Sequence, residues 1–261
     1  MSAHKSSAVA DEPIDVLIAL HPKFDLLDFA GPLEVFSQAL HDPSDETSKA
    51  FEVTIVGAES QVLSAQGAIV NSQITYKEAH ERLEDFDILV ILGGNTAEII
   101  EKELEPLGLI TDFSELQKKD PARERTVLSV CTGSHLLAKE GILAGLSATT
   151  HHDHLTTFEN LCSDAAVKYM TERTDVVEDA RYVVNNLRFD IADEDQSPYT
   201  RRKSDAGVPK HARKGSMSFK ESNRRPLYLV SALVDDKTAE DVAKLIQWTW
   251  TKGVVVDGLD V

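Results

Sequence analysis

Four short apolar runs, rich in branched side chains, most constrain what this chain can fold into. They are "IDVLIAL" (14–20), "FEVTIVGA" (51–58), "FDILVILGG" (86–94) and "RTVLSV" (125–130). Runs of this length without polar alternation suit strands covered on both faces. Helical patterns lie between them. In "GPLEVFSQALH", Pro32 marks a helix start, and Leu33, Phe36 and Leu40 recur at helical spacing. The segment from Thr96 to Lys118 is mostly helical in pattern, and a further helix is expected from about Ser134 to Lys139. "QVLSAQGAIVNSQITY" (61–76) alternates around Gly67 and predicts a β-hairpin. Strands alternating with helices through short turns predict an α/β fold, a doubly wound and mostly parallel sheet in three layers.

Later segments are less regular. "LSATTHH" (146–152) reads as a short strand into a loop, 153–161 as a short helix and "VVEDARYVVNN" (176–186) as another strand. Residues 190–225 are polar and hold a run of Lys and Arg inside an acidic protein, so they read as a solvated insertion. Leu227, Val230 and Leu233 then form one helical stripe and Val242, Leu245 and Trp248 another, with Thr238 in the expected N-cap region. The expected organisation is a tail at 1–13 and one domain over 14–261, interrupted at 190–225. Trp248 and Trp250 are candidate core or interface anchors.

The formal net charge of −17 argues against nucleic acid or an anionic membrane as partner. Two cysteines, Cys131 and Cys162, make no disulfide framework and suit a reducing compartment. "MSAHKSSAVADEP" lacks the apolar stretch of a secretory signal, and the aliphatic run "ILVIL" (88–92) is too short to span a bilayer. A cytoplasmic location is expected.

Three strand ends carry chemistry. The first is followed by "HPKFDLLDFAGP", with Asp25 and Asp28 in apolar surroundings; the third ends in Gly93-Gly94; the fourth runs into Cys131. In a parallel sheet these ends share one edge, where ligands bind. A cysteine squeezed between strand and helix sits in the geometry of a nucleophile elbow, and a helix N-terminus there is expected to lower its pKa. Gly133 removes a side chain where the turn is tightest. Spacing alone leaves two readings of Cys131 open, packing and chemistry. Asp28 taken alone reads better as the cap of the helix near Pro32. No metal is expected at His151, His152 and His154, because adjacent histidines diverge on a regular backbone and Cys131 has no zinc-like spacing to them. Cys162, near Leu155 and Phe158 in the pattern, reads as packing.

Taken together, "LSVCTGSHLLAKEGILAGLSATTH" (128–151), "DFAGPLEVF" (28–36), "DILVILGG" (87–94) and "VVEDARYV" (176–183) resemble, in order, the motifs of the ThiJ/PfpI superfamily. That superfamily has the class I glutamine-amidotransferase-like, flavodoxin-like fold. The first-loop motif resembles the branch containing isocyanide hydratase and the amidase-like domains of AraC-type regulators. The resemblance implies roles: Cys131 as reactive cysteine, Asp28 as its acidic partner, Gly93 and Gly94 as oxyanion donors, Thr132 as a lining residue and His151 as a base or pocket wall. It implies a cofactor-independent, cysteine-dependent hydro-lyase or hydrolase acting on a small electrophile. A glyoxalase or deglycase acting on reactive carbonyls and a non-enzymatic redox sensor or stress protein are the alternatives. The superfamily is commonly dimeric, which makes a homodimer the expected assembly. Family members usually follow the late strand with a glycine-rich turn near the site; here the basic insertion at 190–225 stands in its place.

Overall fold

The computed structural model describes residues 12–120, 123, 125–178, 183–184, 224–248 and 256–257. Residues 1–11 of the expected tail, nearly all of the 190–225 insertion and Trp250 lie outside them. Among the described residues, a five-stranded parallel sheet forms from β1 (Ile14–Ala19), β2 (Phe51–Gly57), β5 (Ile74–Thr75), β6 (Ile88–Ile91) and β7 (Thr126–Ser129), in the order β5-β2-β1-β6-β7. The hairpin β3 (Gln61–Leu63) and β4 (Ile69–Asn71) turns at Gly67, whose φ of 88° suits glycine. Two further parallel pairs join β8 (Ser147–Ala148) to β9 (Asp175–Val176) and β10 (Val183–Val184) to β11 (Val256–Asp257). The single late strand expected over 176–186 is thus two short ones.

The unbroken apolar runs are explained by helices on both faces. Val16, Ile18 and Leu20 pack into one core and Leu17 and Ala19 into the other; β6 divides the same way, Ile88, Val90 and Leu92 against Leu89 and Ile91. This period of two lets one strand serve both layers. The first layer contains α1 (Leu26–Gln38), α7 (Arg224–Leu233) and α8 (Asp236–Leu245). The second contains α2 (Tyr76–Glu81), α3 (Thr96–Lys102), α4 (Leu107–Lys119), α5 (Ser134–Lys139) and α6 (Leu155–Tyr169). The three-layer expectation holds. Strand order reverses at β1, and the chain leaves β1 and β6 towards opposite faces, so a crevice opens at their carboxyl ends.

Helix limits differ from the sequence reading in three places. α1 begins at Leu26 and carries Pro32 inside it, because the Asp25 carboxylate accepts the Leu27 N–H and caps the helix earlier. Asp28 is therefore a first-turn residue rather than the cap. α8 is likewise capped by Asp235, which accepts the Thr238 N–H at 2.6 Å. The helical segment after β6 is broken between α3 and α4 by Glu103 in the left-handed region. Leu227 and Val230 of the first late stripe are buried, whereas Leu245 of the second is exposed.

On the second layer, His80 of α2 contacts two carboxylates, Asp112 at 2.7 Å through Nδ1 and Glu105 at 2.8 Å through Nε2. Partial burial works against a charged ring, but Glu105 and then Asp112 outweigh it and raise the His80 pKa. A raised histidine pKa adds stability that is complete below the unfolded value of about 6.5 and is lost as pH rises through the folded value. Replacing His80 with Ala should therefore lower Tm more at pH 6 than at pH 9. The difference should be about 0.5–1 kcal/mol for this solvent-screened pair, and equal losses at both pH values would show that the ring is not charged in the fold.

Candidate active site

The site is built by three loops that the chain stitches together at the carboxyl edge. The loop after β1 meets the loop after β6 through Asp25 N–H to Gly93 O, 3.0 Å, and Asn95 N–H to Lys23 O, 3.1 Å. Gly94 has a φ of 116°, and a Cβ there would collide with the Lys23 carbonyl and, at 2.7 Å, the Asp25 amide. The loop after β7 joins through Val130 N–H to Ile91 O, 2.9 Å. Gly133 lies against that same Ile91 carbonyl, so any side chain at Gly133 would push the elbow off the sheet. Thr150, beyond β8, reaches back to donate to the Cys131 carbonyl at 3.3 Å, as Ser134 does at 3.2 Å.

Cys131 occupies the sharp turn. Its φ is 55°, in the left-handed region that a non-glycine residue adopts at a cost of roughly 1–3 kcal/mol. Such strain survives only when its surroundings fix the turn, and it aims the side chain out of the sheet. Asp28 comes from the first turn of α1 and is buried. Gly93 is where the pieces meet. A Cβ on it would stand 2.7 Å from Asp28 Oδ2, 2.8 Å from the Thr132 amide and 2.9 Å from Cys131 Cβ. The Gly93 N–H itself donates to Asp28 Oδ2 at 3.2 Å. The Gly94 N–H donates to the Thr132 hydroxyl at 3.1 Å, and that hydroxyl stands 3.4 Å from the Gly94 carbonyl.

These bonds change two sequence-based expectations. The Gly93 and Gly94 amides, expected to serve an oxyanion, are directed at Asp28 and Thr132; they hold the acid and the hydroxyl in place. The Cys131 thiol, expected to be acidified, is instead pushed up from 9.0 to about 12. Burial is the main cause and the Asp28 carboxylate the second, while hydrogen bonding by the Thr132 amide and hydroxyl pulls it back only in part. The reason is one of magnitude. A helix terminus supplies about 0.3–1 kcal/mol, less than one pKa unit at ~1.36 kcal/mol each. Moreover α5 is only six residues long and is separated from the sulfur by a 3-10 turn over Cys131–Gly133.

Cys131 opens on a cavity of about 500 Å³ lined by Asp25, Gly94, Thr132, His151, His152, Asp153 and His154. Asp25 is tied down by its cap and by Gln66, whose side-chain amide donates to it at 2.9 Å. His151 Nδ1 accepts the Asp153 N–H at 3.1 Å and thereby caps the 3-10 turn His152–His154. That turn is not regular backbone, and the expected divergence of adjacent histidines fails: the His151 and His152 rings stack with centroids 4.5 Å apart. Behind them His135 is buried against His154 and Phe158, and burial, with His154 next, lowers its pKa to about 4. The sequence signal for His135 was available, since it sits one turn beyond Cys131, but nothing in the pattern distinguished it from packing. Cys162 is buried on α6, as its spacing suggested.

Comparison with known proteins agrees with this architecture. Residues 14–186 match the DJ-1/PfpI family. The uncharacterized protein in the cpoL 5′ region of Streptomyces lividans is 32% identical over 151 residues, which cover 58% of this chain and 96% of that one. Among solved structures, DJ-1 of Schizosaccharomyces pombe aligns with a TM-score of 0.57 at 14% identity, covering 90% of this chain and 100% of the other. A ThiJ/PfpI family protein from Pseudomonas syringae aligns at 0.56 and 16% identity, covering 93% and 78%. Among the described residues no helix is long and apolar enough to cross a membrane.

A thiol held at about 12 should react with iodoacetamide at a rate that climbs about tenfold per pH unit from pH 7 to 10 without a plateau. Asp28→Asn removes the carboxylate that raises it, so alkylation at pH 8 should accelerate about tenfold. Peptide mass spectrometry separates Cys131 from Cys162, and a plateau below pH 8 in the wild type would contradict the raised pKa. The chain belongs to the DJ-1/PfpI family, which includes cysteine-dependent enzymes and stress-response proteins.

Proposed function

We propose that this protein is a cofactor-independent, cysteine-dependent hydro-lyase of small molecules, of the isocyanide hydratase type, with Cys131 and Asp28 as its catalytic pair. The observation that carries the reading is the convergence of a buried carboxylate and the elbow thiol on Gly93. A protonated thiol beside a carboxylate is a nucleophile stored with its own base. Asp28 takes the thiol proton as sulfur attacks the terminal carbon of R–N≡C. The same proton then passes from Asp28 to that carbon, giving the thioimidate R–N=CH–S–Cys131. Water adds to the C=N carbon, one of its protons goes to nitrogen, and the C–S bond breaks. The remaining proton returns to sulfur through Asp28, leaving the formamide R–NH–CHO and the free thiol. Water supplies every atom gained.

The Thr132 amide and hydroxyl, whose hydrogen bonding lowers the thiol pKa, stabilise the thiolate each time it is formed or expelled. Gly93 positions Asp28, and Gly94 positions the Thr132 hydroxyl. His151, fixed by its hydrogen bond to Asp153, forms a wall of the cavity near the attacking water. The neutral thiol disfavours the redox-sensor alternative, because oxidation by peroxide proceeds through the thiolate.

Turnover of an aryl isocyanide, followed as formamide, tests the reading. Cys131→Ala should abolish it. Asp28→Asn should lower kcat by about 10²–10⁴-fold even though it speeds alkylation of the same sulfur, an opposition that a purely structural Asp28 does not produce. If methylglyoxal is consumed and the isocyanide is not, the glyoxalase alternative replaces this one.

A further inference from the structure

The turn that closes the cavity carries a second set of chemical groups. His151, His152 and Asp153 each offer one ligand atom, and these atoms lie within 4.8 Å of one another. The His152 ring, stacked on His151 at 22° between planes, must turn for both ring lone pairs to meet at one ion, and two contacts show where the donors stand. His152 Nε2 and Asp153 Oδ1 are already 3.3 Å apart. Neighbouring donors of a tetrahedral ion with bonds of ~2.0–2.1 Å are separated by ~3.3–3.4 Å. His151 Nδ1 accepts the Asp153 N–H at 3.1 Å, so this nitrogen presents a lone pair rather than a proton. The tautomer needed for a metal bond is therefore set in advance, and binding exchanges one backbone hydrogen bond for a metal–nitrogen bond.

We propose that His151, His152 and Asp153 form a binding site for a divalent transition ion of the Zn²⁺ class on the rim of the Cys131 cavity. Two imidazoles and a carboxylate suit Zn²⁺ and its borderline neighbours better than Mg²⁺ or Ca²⁺, which take mostly oxygen ligands. His152 and Asp153 are exposed and free to adjust by side-chain rotation, while His151 is half-buried and anchors the site. All three line the cavity together with Cys131. Three protein ligands leave a fourth position open to that cavity, so an ion bound there obstructs the approach to the sulfur.

Equilibrium dialysis of the full chain against ZnCl₂ tests the site without reference to turnover, so its failure and failure of the hydratase reading are separable. The wild type should take up one equivalent at micromolar free zinc. His152→Ala and Asp153→Asn, both at exposed positions where folding is checked by circular dichroism, should each weaken uptake by about tenfold or more. Cys131→Ala should bind zinc as the wild type does, and Co²⁺ in the wild type should show no sulfur-to-cobalt charge-transfer band. Zinc should also slow alkylation of Cys131 in the wild type and lose that effect in His152→Ala. Absence of uptake, uptake that survives both rim substitutions, or uptake lost in Cys131→Ala would each overturn the proposal.

Discussion

Everything at this site is arranged around a side chain that is missing. Gly93 is touched on three sides, by the Asp28 carboxylate, the Thr132 amide and Cys131 Cβ, each closer than 3 Å to where a Cβ would stand. With Gly93 itself after β6, Asp28 after β1 and both Cys131 and Thr132 after β7, the junction joins the ends of three strands, so its closeness depends on the sheet register, Val16 opposite Ile88 and Ile88 opposite Thr126. The glycine lets the elbow and the first turn of α1 close against one peptide. Its N–H then holds the carboxylate that closes in. A close approach of this kind is self-consistent: no group at the junction can be enlarged without separating acid from thiol.

The junction also decides the state of the sulfur. A helix end beside a cysteine is usually read as an acidifying device, yet its favourable contribution of about 0.3–1 kcal/mol competes here with burial and with a neighbouring negative charge. Burial and that charge prevail, and Cys131 rests as a thiol. Two negative charges in one desolvated junction would be costly. Keeping one proton on the pair avoids that cost.

The fold was legible because strands buried on both faces leave an unmistakable trace. "FDILVILGG" has no polar interruption between Ile88 and Leu92, and the structure puts alternate members of that run into separate cores. The motifs around Asp28, Gly93-Gly94 and Cys131 were legible too, and the structure brings these residues together at one edge of the sheet. Helix starts were less so: Asp25 wins the cap of α1 because its backbone is extended and its carboxylate reaches Leu27, whereas Pro32, the stronger signal in the sequence, sits harmlessly inside the helix. What the glycine amides bind was not legible at all. Whether Gly94 N–H meets a substrate or the Thr132 hydroxyl depends on a hydrogen bond between loops 38 residues apart. The stacking of His151 on His152 was missed for a related reason, since a 3-10 turn suspends the divergence that holds on regular backbone.

The charge of the surroundings sharpens what such a site can accept. The chain carries −17 formally, and the cavity is flanked by Asp25 and Asp153 beside Cys131 and its buried acid. An anionic substrate must approach against that field and then be desolvated next to Asp28, with no lysine or arginine among the described lining residues to receive it. A small uncharged electrophile meets neither obstacle. An isocyanide is uncharged and polar, and its terminal carbon must gain both a sulfur and a proton. A buried thiol and carboxylate sharing one proton supply both from the same junction. The raised thiol pKa is thus compatible with the proposed chemistry: the proton that keeps Cys131 quiet at rest is the one that the first addition consumes.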